Sequence, residues 1–448
     1  MPIDFNMEVL SLIWLILKNW WWFFLPILLW FPAKFLYFWW IRWEVWYPKF
    51  KWILLEIRPP KEILKPFRAM ENVYSALWGI FDAPNWRERW CEGELPLGGG
   101  LWFSFEIMAT EGEIHFYMRI PEFFRNTAES AIYSQYPEAE VSLVEDYTKN
   151  VPQDIPNKDW DLYGEDFTLA KEDPYPIKTY PMFFEEKPEI IEEKRIDPMD
   201  LLLEELSRPK SGEQVWIQIV ANPVTSDFLS WVTKGREIAD KTAKRLVKPK
   251  PKPMIEEAAE ILITGKPKEE KPPERLELIA PELRLTPGEK EILTGIENKI
   301  KKHGFQTWIR VLHLYKTNEP YTPGFSMVIR GYFMSQFMTE NLNFFTFYGP
   351  TKTRIHYWLT KRRLYLRKRI QFRRYIDRLP PLWPRTMTGE PICSFGHIQG
   401  RRPGIRGTCV LNIEELATIF HLPVKIITPA VPYIEAKKGR PPAGLPVE

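Results

Sequence analysis

The first fifty residues contain a strongly apolar, tryptophan-rich stretch that restricts what this chain can fold into more than any other feature. Ten of the 20 tryptophans lie between residues 9 and 52, with few charged residues among them. Indole rings need one polar edge, which a membrane interface supplies and a packed core rarely does. The stretch therefore belongs at a membrane or, less commonly, in a buried apolar element.

The charge pattern predicts one membrane span over residues 18–38. Lys18 and Lys34 lie about 24 Å apart at helical rise, and both can reach outward from the ends of the charge-free run between them. That run is shorter than the ~20 residues that usually cross a bilayer, and Pro26 and Pro32 lie inside it. A re-entrant hairpin and an interfacial helix therefore stay open as alternatives. The residues expected at the membrane interface are Trp20, Trp21, Trp22, Trp39 and Trp40.

Lysine and arginine residues crowd the chain after this span. Eight lie between residues 34 and 68, whereas Lys18 is the only one before it. Because basic residues favour the cytoplasmic side, we expect a protein of the cytoplasmic membrane with its body in the cytoplasm. The 3 cysteines are widely spaced and odd in number, which agrees with a reducing compartment.

The hydrophobic pattern predicts an α+β fold, with an N-terminal transmembrane helix (1–50) followed by two ferredoxin-like lobes. Strand-like runs at 101–108 and 113–120 flank a turn and open a first lobe over 51–246. A second lobe over 285–409 starts with a helix after Thr286 and Pro287. Between them, 247–284 is rich in proline and charge, which is typical of an extended linker. Residues 410–448 form a C-terminal segment.

The residue spacings that common catalytic and metal sites require are not found in the sequence. Residues 264–267 read TGKP and do not match a P-loop, and the 6 histidines are scattered without a CxxC partner. Cys393 and His397 could pair as nucleophile and base, but isolated pairs of these types recur by chance. We therefore predict no catalytic residue, no metal site and no cofactor, and a protein that is not an enzyme.

The strongest local charge feature is the segment 352–378. It holds eleven Lys and Arg residues against one acid, Asp377, with five aromatic residues interleaved. Three interpretations are open: single-stranded nucleic acid bound through phosphates and stacked bases, a helix lying on anionic lipid, or a solvated helix whose aromatic rings pack on the domain. The expected contact residues are Arg362, Arg363, Arg367, Lys368, Arg369, Arg373 and Arg374.

Several longer motifs resemble a known family. The chain reads LLEIRPPKEI at 54–63, KPFRAME at 65–71, EIHFYMRIP at 113–121 and AIYSQYPEAE at 131–140. Near the C-terminus it reads LNIEELATIFHLP at 411–423 and PPAGLP at 441–446. Together these resemble the membrane-anchored, non-motor region of type IV secretion or conjugative coupling ATPases, in the form found in small-genome bacterial lineages. In that family the last two motifs lead into a P-loop motor, which is absent here.

The resemblance implies a non-catalytic membrane platform that docks a separately encoded P-loop ATPase in a type IV secretion or conjugative DNA-transfer system. The implied partners are the membrane, that ATPase, DNA and further copies of the chain. An ordinary helix packed on its own sheet stays open for the C-terminal motif, and the alternative function is a membrane-associated nucleic-acid-binding protein acting through 352–378. The implied motor-docking residues are Asn412, Glu414, Glu415, Phe420 and His421.

Overall fold

The computed structural model describes the chain from residue 50 to residue 423 with gaps, together with scattered residues between 14 and 40 and residues 431–432. The gaps are 61–62, 64–65, 82–101, 184–196, 226–230, 244–284, 320–324, 340, 357–358 and 380–406. The predicted linker at 247–284 and the Cys393/His397 pair therefore lie outside the described residues.

The described chain folds around one antiparallel sheet of nine strands, in the order β4-β1-β3-β2-β6-β7-β5-β8, with β9 also paired to β7. The strands are β1 (Trp52–Arg58), β2 (Phe103–Thr110), β3 (Glu113–Pro121), β4 (Glu140–Val144), β5 (Trp160–Leu169), β6 (Glu213–Val224), β7 (Gly304–Lys316), β8 (Phe345–Phe347) and β9 (Cys409–Asn412).

Helices cover both faces of this sheet. A π-helix (Gly331–Gln336) continues directly from the sixth α-helix, and short 3₁₀ turns lie at Glu122–Phe124, Tyr147–Asn150 and Tyr180–Phe183. The α-helices are α1 (Pro66–Trp78), α2 (Arg125–Gln135), α3 (Pro198–Leu206), α4 (Trp231–Thr242), α5 (Pro287–Ile300), α6 (Phe325–Arg330), α7 (Thr360–Ile376) and α8 (Ile413–Ile419).

The continuous sheet corrects the prediction of two ferredoxin-like lobes. β6 and β7, the strands on either side of the predicted linker, pair antiparallel from Glu213↔Tyr315 to Val224↔Gly304. β5, which belongs to the predicted first lobe, pairs with β7 and β8 of the predicted second lobe. Because these strands pair directly with one another, the two halves of the chain complete one α+β sheet.

Alternating side chains give the sheet two differently packed faces. Phe105 of β2, Ile217 of β6 and Ile309 of β7 point to the first face, which α1, α2, α3, α8 and the π-helix cover. Trp216 of β6 and Leu312 of β7 point to the second face, which α7 covers with two of its aromatic rings. Both faces are largely apolar, although the second also carries buried charged residues.

Two local predictions are confirmed. The strand pair at 101–120 is the β2–β3 hairpin, and its turn residues Glu111 and Gly112 both have positive φ, at 50° and 86°, as a type I′ hairpin turn requires. The helix predicted after Thr286 and Pro287 is α5, which begins with a capping box between Thr286 and Glu289. Both features depend on residues a few positions apart, which is why the sequence pattern reveals them.

The predicted N-terminal transmembrane span is wrong. Within the described residues, no helix is both long enough and apolar enough to cross a membrane. This finding overturns the transmembrane part of the predicted fold and the predicted location as a single-span protein of the cytoplasmic membrane. The physical difficulty is visible in the sequence, because the charge-free run between Lys18 and Lys34 is shorter than the ~20 residues a span needs.

Candidate nucleic-acid interface

Helix α7 carries most of the basic segment. Its 17 residues include eight Lys and Arg side chains and no Asp or Glu. Two of its aromatic rings turn inward, because Phe372 and Tyr375 pack on Trp216 with ring centroids 6.2 Å and 5.3 Å away. The helix is therefore held on the sheet by its C-terminal half, and its cations lie around the remaining surface.

A buried ion pair fixes the C-terminal end of α7. Arg378 is 1% exposed and donates from Nε and Nη2 to Glu106 at 2.9 and 3.0 Å, and from Nη1 to Asp146 at 2.6 Å. Burial alone would raise the pKa of Glu106, but the Arg378 guanidinium outweighs it and the pKa is lowered. The Tyr147 hydroxyl donates to Glu106 at 2.8 Å and lies 2.8 Å from that of Tyr375.

A second buried pair lies further along the sheet, between β7 and β5. Arg310 of β7 donates from Nε to Asp166 of β5 at 2.7 Å and from Nη1 to the Leu379 carbonyl at 3.2 Å. Gln371 of α7 donates to the other Asp166 oxygen at 3.1 Å. α7 lies close to β5 here, because a Cβ added at Gly164 would come within 3.1 Å of Gln371. The two pairs together give α7 a fixed position.

The seven predicted contact residues divide into two groups. Three are used inside the protein: Arg367 donates to the Lys352 carbonyl at 3.0 Å, Lys368 pairs with Asp161 at 2.6 Å, and Arg374 is buried. The other four point away from the sheet, with Arg369 half-buried and three exposed, namely Arg362, Arg363 and Arg373.

More cations lie beside α7 at the edge of the sheet. Glu165 of β5 binds both Arg330 and, at 3.6 Å, the Lys352 ammonium, and Arg354 lies on the exposed loop after β8. Burial lowers the pKa of Lys352, and the nearby Arg330 and Arg354 lower it further. Burial and the neighbouring Arg363 likewise lower the pKa of Arg367. One carboxylate thus lies among several cations.

We call this surface the basic rim and define it by its outward and edge cations. Arg330 is not recognisable in the sequence, because it lies twenty-two residues before the basic segment and no local pattern connects it to α7. Among the described residues, Arg362 and Arg373 have no carboxylate partner. The basic rim consists of Arg330, Lys352, Arg354, Arg362, Arg363, Arg369 and Arg373.

Exposed apolar side chains lie among these cations. Leu359, just before α7, is 71% exposed, Leu366 and Ile370 are each 46% exposed, and Tyr365 is 42% exposed. The Arg369 guanidinium donates to the Tyr365 hydroxyl at 3.3 Å. Of the five aromatic residues that the sequence placed in the segment, Phe372 and Tyr375 are buried, and Tyr357 and Trp358 lie outside the described residues. Of the three aromatic residues that the structure describes in this segment, Tyr365 is the one exposed to solvent.

The predicted motor-docking residues lie mostly in the interior. Asn412 caps α8 by accepting from the Glu415 N–H at 2.8 Å, and Glu415 pairs with Lys299 at 3.0 Å, both side chains being fully buried. Phe420 stacks on Phe105 of the first face. Intramolecular contacts therefore occupy these side chains.

The remaining two docking residues also have partners within the chain. His421 lies 2.9 Å from Asp197 and 3.0 Å from the Ala417 carbonyl, and Glu414 accepts from Lys302 at 2.5 Å. The motif at 411–423 thus connects α8 to α3 and to the end of α5. These side chains pack within the protein, which agrees with the second interpretation of the motif, an ordinary helix packed on its own sheet.

At the N-terminus, Trp20, Trp21, Trp22 and Trp40 are exposed, whereas Trp39 lies outside the described residues. Elsewhere in the described part of the chain, no group of three or more His, Cys, Asp and Glu side chains is arranged to hold a metal ion. Apart from Asp197, which lies beside His421, the buried carboxylates described above are bound to arginine or lysine. The chemistry that the basic rim offers is therefore recognition of anions by guanidinium groups.

Comparison with known proteins gives one family assignment. No curated protein matches the chain. A family model described as "Domain of unknown function (DUF8128)" matches residues 51–324. The match covers β1 to β7 and ends before α6, so α7 and the whole basic rim lie beyond it. Because the match spans more than half of the 448 residues, the chain belongs to the DUF8128 family.

Proposed function

We propose that this protein is a non-catalytic accessory subunit of a DNA-transfer machine of the type IV secretion kind, and that it contacts nucleic acid through the basic rim. A separate P-loop ATPase would supply the motor. The observation that carries the proposal is the collection of cations around α7, where a 17-residue helix has eight Lys and Arg side chains and no acid.

Electrostatics supports an anionic partner for this surface. Burial lowers the pKa values of Lys352 and Arg367, and repulsion from neighbouring cations lowers them further. A phosphate backbone relieves that repulsion and releases counterions, which is the main driving force for binding nucleic acid. The buried pairs at Arg378 and Asp166 hold the helix in place, so the cations are presented with little loss of backbone freedom.

The motifs at 54–63, 113–121 and 411–423 support the assignment to a DNA-transfer machine, because they resemble the non-motor region of coupling ATPases. Since the side chains of 412, 415, 420 and 421 are buried, the proposal assigns the ATPase contact to other surfaces of the protein. Under the proposal, the C-terminal motif completes the packing on the first face of the sheet.

The direct test is salt-dependent binding of a fluorescent 20-base-pair duplex and of its separated strand. Reversing Arg362, Arg369 and Arg373 to Glu should abolish most binding to both and reduce the slope of log K against log salt by about 1 for each phosphate that is no longer neutralised. A matched control reverses three exposed lysines elsewhere, Lys210, Lys241 and Lys290. Equal binding by the wild type and the rim variant would remove the proposal, and so would an equal loss in the control.

The ATPase part has its own test. The proposal requires a P-loop ATPase encoded near this gene; the full chain should bind that ATPase, and gel filtration of the two purified proteins should give one larger species. The accessory role is wrong if a P-loop ATPase encoded nearby carries its own version of this domain and does not bind the chain. That result would count against the accessory role even if the chain still binds nucleic acid.

A further inference from the structure

We infer that the basic rim takes single-stranded nucleic acid in preference to duplex, with bases packed on Tyr365, Leu366 and Ile370. The inference rests on the proposed function and specifies its substrate. It comes from the arrangement of cations and apolar side chains on α7, and not from the aromatic residues counted in the sequence, two of which are buried.

Exposed apolar side chains lie among the cations along one side of α7. Arg362, Leu366, Arg369 and Arg373 are spaced by four, three and four residues, which places them on one side of the helix within about 16 Å. Leu359 and Ile370 lie beside this stripe, and all three aliphatic side chains are substantially exposed. The surface therefore presents guanidinium groups and apolar side chains next to one another.

This combination of cations and exposed apolar side chains fits a single strand better than a duplex. A duplex presents charged phosphates and sugars on its outside and keeps its bases stacked within, so exposed Leu and Ile side chains would face a charged backbone. A single strand exposes the faces of its bases, which pack on aromatic and aliphatic groups while its phosphates reach the cations. The Tyr365 ring, held at its hydroxyl by Arg369, is placed to stack on a base.

The path of the cations around the sheet edge supports the same conclusion. Glu165 and its partner Arg330 lie on the first face, whereas Asp166 and Gln371 lie on the second, under α7. Lys352 joins the two sides, since its ammonium approaches Glu165 at 3.6 Å and its carbonyl accepts from Arg367 at 3.0 Å. A flexible strand can follow this curved path, but a duplex with a persistence length of about 50 nm resists doing so.

The experiment compares oligo(dT) of twenty nucleotides with a 20-base-pair duplex, using fluorescence anisotropy on the full chain. The wild type should bind the single strand about tenfold more tightly. Replacing Leu366 and Ile370 by Asn, with Tyr365→Ala, should lower single-strand affinity about tenfold, to the level of the duplex, with little change in the salt slope. A control variant replaces exposed apolar residues elsewhere, Leu201→Asn and Leu143→Asn, and should bind like the wild type.

The outcomes separate the two proposals. Equal binding of strand and duplex, reduced by charge reversal but not by the apolar replacements, overturns this inference and leaves the proposed function standing. Binding of neither overturns both. If the chain binds neither oligonucleotide but binds an acidic amphipathic peptide through Leu366 and Ile370, α7 is a protein-docking surface and the inference is wrong. Far-ultraviolet circular dichroism checks that each variant keeps its helices.

Discussion

Among individual residues, the second face of the sheet contains ionised groups where apolar packing would be the simpler solution. Arg378, Glu106 and Asp146 form one cluster, and Arg310 with Asp166 forms another. Two charges removed from water are tolerated only when each has a partner and good hydrogen bonds. Removing one partner leaves the other charge buried, so these residues should tolerate substitution poorly.

The first prediction concerns Glu106→Gln. The substitution keeps the shape of the side chain but removes the charge that Arg378 binds, and we expect a loss of about 3 kcal/mol in the free energy of unfolding, measured in urea. The matched control is Glu140→Gln, which removes one of the two carboxylate partners of Arg58 in an exposed pair 3.7 Å apart and should cost less than about 0.5 kcal/mol. Equal losses would show that burial of the Arg378 pair is unimportant.

The second prediction concerns pH and His313. Burial lowers the pKa of His313 from 6.5 to about 4, although Glu213 opposes the shift. The folded protein therefore keeps this ring neutral while the unfolded chain takes up a proton below about pH 6.5. Because protonation then favours the unfolded chain, the free energy of unfolding should decrease as the pH falls from about 6.5 to 4.

His313→Gln should make the free energy of unfolding less dependent on pH in that window, as measured by urea unfolding at several pH values. His356→Gln, at an exposed position, serves as the control. If the two variants show the same pH dependence as the wild type, His313 does not contribute to the acid sensitivity of the fold.

Among the helices and strands, the same local signal occurs at the start of two helices in different surroundings. α5 and α8 both begin with a capping box, one built by Thr286 and Glu289 at the surface and one by Asn412 and Glu415 in the interior. The sequence pattern is alike in both, since each needs only a capping residue and a Glu three positions later. The contribution of each cap to stability depends on its burial.

The third prediction compares Thr286→Ala with Asn412→Ala. The exposed cap should cost about 1 kcal/mol, the usual value for losing one such hydrogen bond. The buried cap should cost more, because Asn412 also donates to the Lys299 carbonyl at 3.4 Å and water cannot replace it. Urea unfolding of both variants measures the difference, and a smaller effect at Asn412 would contradict the structure.

Helix α7 shows how far an element can be predicted from its sequence. Its basic character and helical spacing are visible in the sequence, and four of its seven predicted contact residues point outward. The positions of the Arg367, Lys368 and Arg374 side chains were not predictable, because Lys352, Asp161 and the sheet surface that receive them lie elsewhere in the chain. Helical periodicity gives the faces of a helix but not which face a neighbour covers.

Across the whole molecule, the two halves of the chain share one sheet. β6 pairs with β7 along its whole length, and β9 brings the start of the C-terminal motif back to Gly304 and Phe305 at the start of β7. Antiparallel pairing between strands separated by a long linker contributes many hydrogen bonds and a shared apolar face. The strands on either side of the predicted linker therefore belong to one sheet.

The fourth prediction concerns that pairing. A site-specific protease sequence inserted between Gly265 and Lys266 should allow the chain to be cut while both fragments stay together, because β6 and β7 hold them. After cleavage, gel filtration should give a single species of unchanged size, and denaturing electrophoresis should give two bands. Two separate species on gel filtration would support independent lobes and contradict the continuous sheet.

Features that depend on a few neighbouring residues are specified by the amino-acid order alone: the turn at Glu111 and Gly112, the cap of α5, and the basic character of α7. Three others required the folded protein: the halves form one sheet, the side chains of the motif at 411–423 lie mostly inside, and only some arginines reach solvent. The difference arises from the range of the interactions. Propensity and periodicity act within a few residues, whereas strand pairing and the pairing of a buried charge depend on partners that folding brings from far along the chain.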